Sequence, residues 1–203
     1  MITVGAVLFP QFEMLDLYGP LQMYGMLSRS FEIRTVAETA GPVAANGGPD
    51  TVAMDSFADD QAYDLLLVPG GRGTRVQRGN PAMTGWLARA AGRAEWVTTV
   101  CTGSMVLAAT GLLDGRRATT NKLAFDEVAG AFPAVDWQRR ARWVMDGRVA
   151  TSSGVSAGMD MTLAVIGEIL GPERASDVAR WAEYTPVADP DNDPFAAKDP
   201  AHD

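Results

Sequence analysis

Short runs of apolar and β-branched residues, each passing straight into a turn or a helix-forming stretch, leave few folds open to this chain. ITVGAVLF near the start, DLLLVPGG from Asp64 to Gly71 and WVTTV from Trp96 to Val100 read as strands covered on both faces. Between them, EMLDLYGPLQMYGML sets Met14, Leu17 and Leu21 at helical spacing, with a break or a start expected at Gly19-Pro20. FEIRTVAE reads as a second strand, and GPVAANGGPDTVAMD as a small hairpin. NPAMTGWLARAAGRA opens a helix with Asn80 as cap and Pro81 at its first position. TGSMVLAATGLL predicts a helix closed by Gly111 or Gly115. RRATT and RWVMDGRVATSS give short strands with a tight turn at Asp146-Gly147, and MDMTLAVIGEIL gives a long apolar helix. Alternating strands and helices mean an α/β fold with a largely parallel sheet.

The 203 residues suit one well-buried domain, read as 1–186, followed by an acidic, proline-rich tail over 187–203 that should be extended or loosely ordered. The net charge of -8 and the absence of a basic stripe argue against nucleic acid as a partner. Pro10 cuts the first apolar run too short to span a bilayer and no basic segment precedes it, so neither membrane association nor a signal peptide is expected. A lone cysteine makes no internal disulfide, which fits a cytoplasmic location. One cysteine and one histidine, His202, cannot assemble a zinc site in the usual way, so no metal is expected. GGRGTR matches no nucleotide-binding fingerprint.

The lone cysteine sits in VTTVCTGSMVL, where strand-forming residues meet helix-forming ones. Ligands gather at the carboxyl ends of parallel strands, and VPGG, VCTG and ATTN all occupy such places. At a strand-to-helix corner, Cys101 would lie beside unpaired helix N–H groups that favour its thiolate, the reactive form. The corner is like the G-x-S-x-G elbow, with Thr99 in place of the first glycine and Gly103 keeping the second. A buried, inert cysteine accounts for the same residue types.

VCTGSMVLAATGLLDGRRATT, FPQFEMLDLYGP and LLLVPGGRG, in that order, resemble the DJ-1/PfpI superfamily, and within it the isonitrile hydratase group. The resemblance implies a flavodoxin-like three-layer sandwich, a homodimer and no cofactor. It places the nucleophile at Cys101 and the proton-carrying carboxylate at Asp16. Gly70 and Gly71 fall on a glycine turn whose N–H groups, with that of Thr102, would form an anion-binding pocket. The Thr102 hydroxyl would bind substrate. SSGVSAGMD resembles the glycine-rich turn that borders the site, which puts Gly154 and Val155 on its lining, with Ser156 as a helix cap. The implied activity is that of a lyase acting on a small electrophilic molecule, hydrating an isonitrile to an N-substituted formamide. Glyoxalase-type α-oxoaldehyde chemistry and a non-catalytic, oxidation-sensing regulator are the alternatives.

One departure stands out. Superfamily members with hydrolase or glyoxalase chemistry place a histidine after the ATT strand, and isonitrile hydratases resemble TTHW there. This chain reads TTNK, so Asn121 borders the site and no Cys-His dyad is expected, which argues against a peptidase. TTNK points to a sister group with a different substrate.

Overall fold

A computed structural model describes residues 1–196. The elements run β1 (Ile2–Val7), α1 (Met14–Gly25), β2 (Phe31–Ala37), β3 (Gly41–Val43), β4 (Thr51–Ala53), β5 (Asp55–Ser56), β6 (Leu65–Val68), α2 (Thr74–Gln77), α3 (Pro81–Arg93), β7 (Trp96–Val100), α4 (Gly103–Ala108), β8 (Arg117–Ala118), α5 (Phe125–Ala131), β9 (Asp136–Trp137), β10 (Trp143–Asp146), β11 (Val149–Ser152), α6 (Ala157–Leu170) and α7 (Pro172–Trp181). Seven strands form the central sheet in the order β10-β11-β7-β6-β1-β2-β5. The hairpin β10–β11 is antiparallel, and the other pairings of that sheet are parallel. Helices α1, α6 and α7 pack together, as do α2, α3 and α4, and the two groups flank the sheet as an α/β sandwich. The continuous runs Leu65–Val68 and Val4–Val7 are fully buried, which is why they carry no polar alternation.

Four local expectations are corrected. Helix α1 runs unbroken through Pro20. The missing N–H costs about 3 kcal/mol, and burial of Leu17, Leu21, Met23 and Tyr24 along one face offsets it. The Ala118 strand lies outside the central sheet, pairing with β9 in a two-stranded ribbon, yet the segment after it still reaches the site. Ser156 makes no side-chain cap to α6; its hydroxyl accepts from Arg142 Nη2 instead, at 3.4 Å. From residue 185 to residue 196 the chain has no regular secondary structure but is not loose. Its Asp193 is buried, and Pro190 and Asp193 bond the backbone of Arg142 and Arg140, both at 2.7 Å. Acidic composition predicts solvation, but buried Arg142 supplies a partner that composition cannot reveal. No helix among the described residues is long and apolar enough to cross a membrane.

Candidate active site

Cys101 ends β7 with φ of 57°, a left-handed conformation that L-residues adopt at a cost of roughly 1–2 kcal/mol. The backbone around it holds that conformation in place. Its N–H donates to the Ser152 and Ser153 carbonyls, at 3.1 and 3.3 Å. Its carbonyl accepts from the Thr120 and Ser104 hydroxyls, each at 3.1 Å. Gly103 is required because a Cβ there would collide with the carbonyl oxygens of Val68 and Pro69, on which the first turn of α4 rests. Sequence reasoning overlooked Ser152, Ser153 and Thr120, since their contribution is a bond to main chain that no motif marks.

Asp16, in the first turn of α1, is wholly buried. Its Oδ2 accepts the Gly70 N–H at 3.0 Å, and its Oδ1 has no hydrogen-bond partner among the described residues. A Cβ on Gly70 would lie 2.8 Å from both Asp16 Oδ2 and Cys101 Cβ, so only glycine lets the carboxyl and the thiol share one pocket. Burial raises the Asp16 pKa from 3.8 to about 7; Glu13 adds to the rise, while the Gly70 amide and the Cys101 thiol oppose it. Burial also pushes the Cys101 thiol up, and the neighbouring Asp16 pushes it further, against the pull of the Thr102 N–H and Asn121. The expected depression of the thiol pKa is therefore reversed. Helix α4 is only six residues long, and its few N–H groups do not outweigh desolvation. The pair favours at most one negative charge and keeps a proton close to the sulfur near neutrality.

The glycine turn differs from the pocket of free donors expected of it. The Gly70 amide is taken by Asp16, and the Gly71 amide donates to Thr102 Oγ1 at 3.2 Å. Thr102 Oγ1 lies 3.1 Å from Thr74 Oγ1, so its hydroxyl belongs to an internal network. The N–H that faces the sulfur is that of Thr102.

Asn121 Oδ1 accepts the N–H groups of Leu123 and Ala124, at 2.9 and 3.1 Å, closing the turn that leads into α5. That leaves the Nδ2 end on the cysteine side, where it favours the thiolate. A Cβ on Gly154 would collide with Asn121 Nδ2 and come within 3.0 Å of Cys101 Sγ, so Gly154 closes the pocket from the other side. The cleft above the sulfur holds about 350 Å³, with Arg72, Leu123 and Val155 among its walls. Arg75 and Glu127 pair across it at 2.6 Å. Cavities of about 500 Å³ beside Leu8 and Met83 and about 490 Å³ beside Trp143 and Leu163 are larger, but neither is lined by the cysteine. His202 lies outside the described residues.

The sandwich with a strained cysteine at the end of a central strand defines a class, and comparison with known proteins gives its name. The DJ-1/PfpI family matches residues 3–168, and the chain belongs to that family. It is 34 % identical to an isonitrile hydratase of Pseudomonas putida, over 98 % of this chain and 88 % of that protein. It is 31 % identical to the HTH-type transcriptional regulator GlxA of Rhizobium meliloti over 79 % of this chain, which corresponds to 49 % of that regulator. Among solved structures, a ThiJ/PfpI family protein from Pseudomonas syringae superposes with a TM-score of 0.84 at 31 % identity, covering 99 % of this chain and 82 % of that one. Oxidized DJ-1 of Toxoplasma gondii shares the fold, with a TM-score of 0.76 at 19 % identity over 91 % of this chain and all of that one (100 %).

Proposed function

We propose that this protein is a cysteine-dependent, cofactor-free hydratase that converts an isonitrile to an N-substituted formamide. The observation that carries the reading is the buried Asp16–Cys101 pair, which keeps an exchangeable proton beside a nucleophile at neutral pH with no histidine among the described residues. The similarity to an isonitrile hydratase along nearly the whole chain supports it.

The Cys101 sulfur bonds the terminal isonitrile carbon, and the proton of the pair passes through Asp16 to that carbon, giving a thioimidate. Water then adds to the same carbon and yields its proton to the Asp16 carboxylate. Asp16 passes that proton to the nitrogen; as the added hydroxyl becomes the carbonyl, the C–S bond breaks with its electron pair going to sulfur and the hydroxyl proton returns to the Asp16–Cys101 pair, so the formamide leaves and the thiol is restored. Asn121 Nδ2 and the Thr102 N–H donate to the sulfur as its charge develops.

Steady-state formation of formamide from an alkyl or aryl isonitrile tests the reading. Cys101→Ala should abolish it, and residual turnover within about tenfold of the parent would remove the cysteine from the mechanism. A folded parent that leaves isonitriles untouched would favour the oxidation-sensing alternative. Regulators among the relatives give that alternative its footing.

A further inference from the structure

Two segments border the cysteine, Thr120–Lys122 and Ser152–Val155, and both lead to a buried cluster of charges that the proposed reaction leaves unused. Arg142, Asp160 and Asp193 are each no more than 3 % exposed. Arg142 Nε donates to Asp160 Oδ2 at 2.7 Å, and its Nη1 stands 3.7 Å from Asp193 Oδ1. Asp160 Oδ1 also accepts the Tyr184 hydroxyl at 2.8 Å and the Val187 N–H at 3.1 Å. Lys122 supplies the second cation, donating to Thr119 Oγ1 at 2.9 Å and to the Ala141 carbonyl, within the field of Asp193. Two acids thus face two bases, and one of the acids arrives on the C-terminal segment.

From this cluster, main-chain bonds run to the nucleophile. The Arg142 carbonyl accepts the Ser153 N–H at 2.8 Å, and the Ser152 and Ser153 carbonyls in turn hold the Cys101 N–H. On the other side, Lys122 adjoins Asn121, which abuts Gly154 and the sulfur. Buried ion clusters seldom stabilise more than apolar residues of the same volume would. The directional ties that fix this segment are main-chain ones, Arg142 N–H to the Pro190 carbonyl and Asp193 N–H to the Arg140 carbonyl, while Arg142 Nη1 and Asp193 Oδ2 have no hydrogen-bond partner among the described residues. Here the geometry fixed includes an unfavourable backbone angle at Cys101.

We propose that the segment from Tyr184 to Asp193 is a positioning strap for the nucleophile: by docking Asp193 on Arg142 beside Asp160, it holds the Ser152–Val155 turn and Asn121 against Cys101. The strap keeps the thiol dry and at the orientation in which it shares a proton with Asp16. This rests on Cys101 being the nucleophile, but not on isonitriles being the substrate.

The test uses the full chain and its sole cysteine, so that any thiol adduct belongs to Cys101. Native Cys101 is alkylated with iodoacetamide across pH 6–10 in the parent, Asp193→Asn, Asp193→Glu and Tyr184→Phe, with urea unfolding run on each to fix the folded fraction. In folded Asp193→Asn, water reaching the sulfur should lower the thiol pKa by about one unit, raising alkylation at neutral pH roughly tenfold. Isonitrile kcat should fall with KM little changed. Asp193→Glu, which keeps the charge, should return toward the parent, and Tyr184→Phe should move the same way as Asp193→Asn by less. If Asp193→Asn does not fold, the Tyr184→Phe profile decides. A parental alkylation profile in the folded variants overturns the strap. A shifted profile in a protein that turns over no isonitrile keeps the strap and removes the hydratase reading.

Discussion

Cys101 carries two burdens, a left-handed backbone and a desolvated thiol beside a carboxyl, and the variants that relieve each one differ. Cys101→Gly and Cys101→Ala both lose the sulfur, but only glycine adopts φ of 57° freely. Cys101→Gly should therefore unfold in urea about 1 kcal/mol later than Cys101→Ala, both being inactive. Equal stabilities would mean that the elbow is not strained. Asp16 sets up the opposite exchange. Its pKa is 3.8 in an ordinary setting and about 7 in the fold, so the native state binds the extra proton between those values. Stability must then fall as pH climbs from about 4 to about 7 and level off above. Asp16→Asn, which never charges, should match the parent near pH 4 and exceed it at pH 8 by on the order of 4 kcal/mol. Turnover should meanwhile drop about 10²–10⁴-fold. The thiol should alkylate faster, since the carboxyl no longer opposes its charge. Near-parental turnover in Asp16→Asn would mean that the proton comes from elsewhere, and the mechanism would fail.

At the scale of elements, close approach of backbones decides which residues are tolerated. Alanine in place of a helical glycine ordinarily stabilises by about 0.5–1 kcal/mol. Gly103 heads α4 against the carbonyls of Val68 and Pro69, so Gly103→Ala should instead destabilise by roughly 1–3 kcal/mol, read by urea unfolding. Gly92, in α3, has open space around its missing side chain and is the control: Gly92→Ala should be neutral or stabilising. Should both substitutions behave alike, the tight packing of α4 onto the end of β6 is wrong. The same reasoning explains α1, where Gly19 lies against Met159 and Gly158 against Pro20, so the helix stays whole across a proline because α6 holds it from the side.

For the whole molecule, α1 and the β4 region each expose apolar residues, Leu15 and Tyr18 on the first, Val52 and the following Met54 on the second, and the Tyr18 hydroxyl meets Thr51 Oγ1 at 2.6 Å to join the two elements. Tyr24, two turns further along α1, is instead wholly buried and packs on Phe31 with ring centroids 4.9 Å apart. The homodimer that the family resemblance implies is proposed to form through these residues. Light scattering at micromolar concentration should report roughly twice 21.6 kDa, and Leu15→Glu should shift the mass toward one chain. A parent that scatters as a monomer would remove the dimer.

What the sequence by itself determined is whatever depends on neighbours along the chain. Apolar runs without alternation mark Val4–Val7 and Leu65–Val68 as doubly covered strands, and Asn80 with Pro81 starts α3 with Asn80 Oδ1 accepting the Ala82 N–H, as local rules require. The junction at Cys101 and the Gly103 that follows it were legible for the same reason, since a turn of that shape restricts the residues within it, whereas Asp16, Gly70 and Gly154 were reached only through the family resemblance. What only the tertiary structure decided depends on partners far along the chain. The Gly70 amide went to Asp16 and the Gly71 amide to Thr102, over separations of 54 and 31 residues, so the pocket expected to offer free donors has both amides already bonded. The thiol pKa changed sign of shift because burial, which no local pattern reports, outweighs a short helix start. The acidic stretch as far as Asp193 was tied down because Arg142, itself buried, offered a charge that composition could not locate.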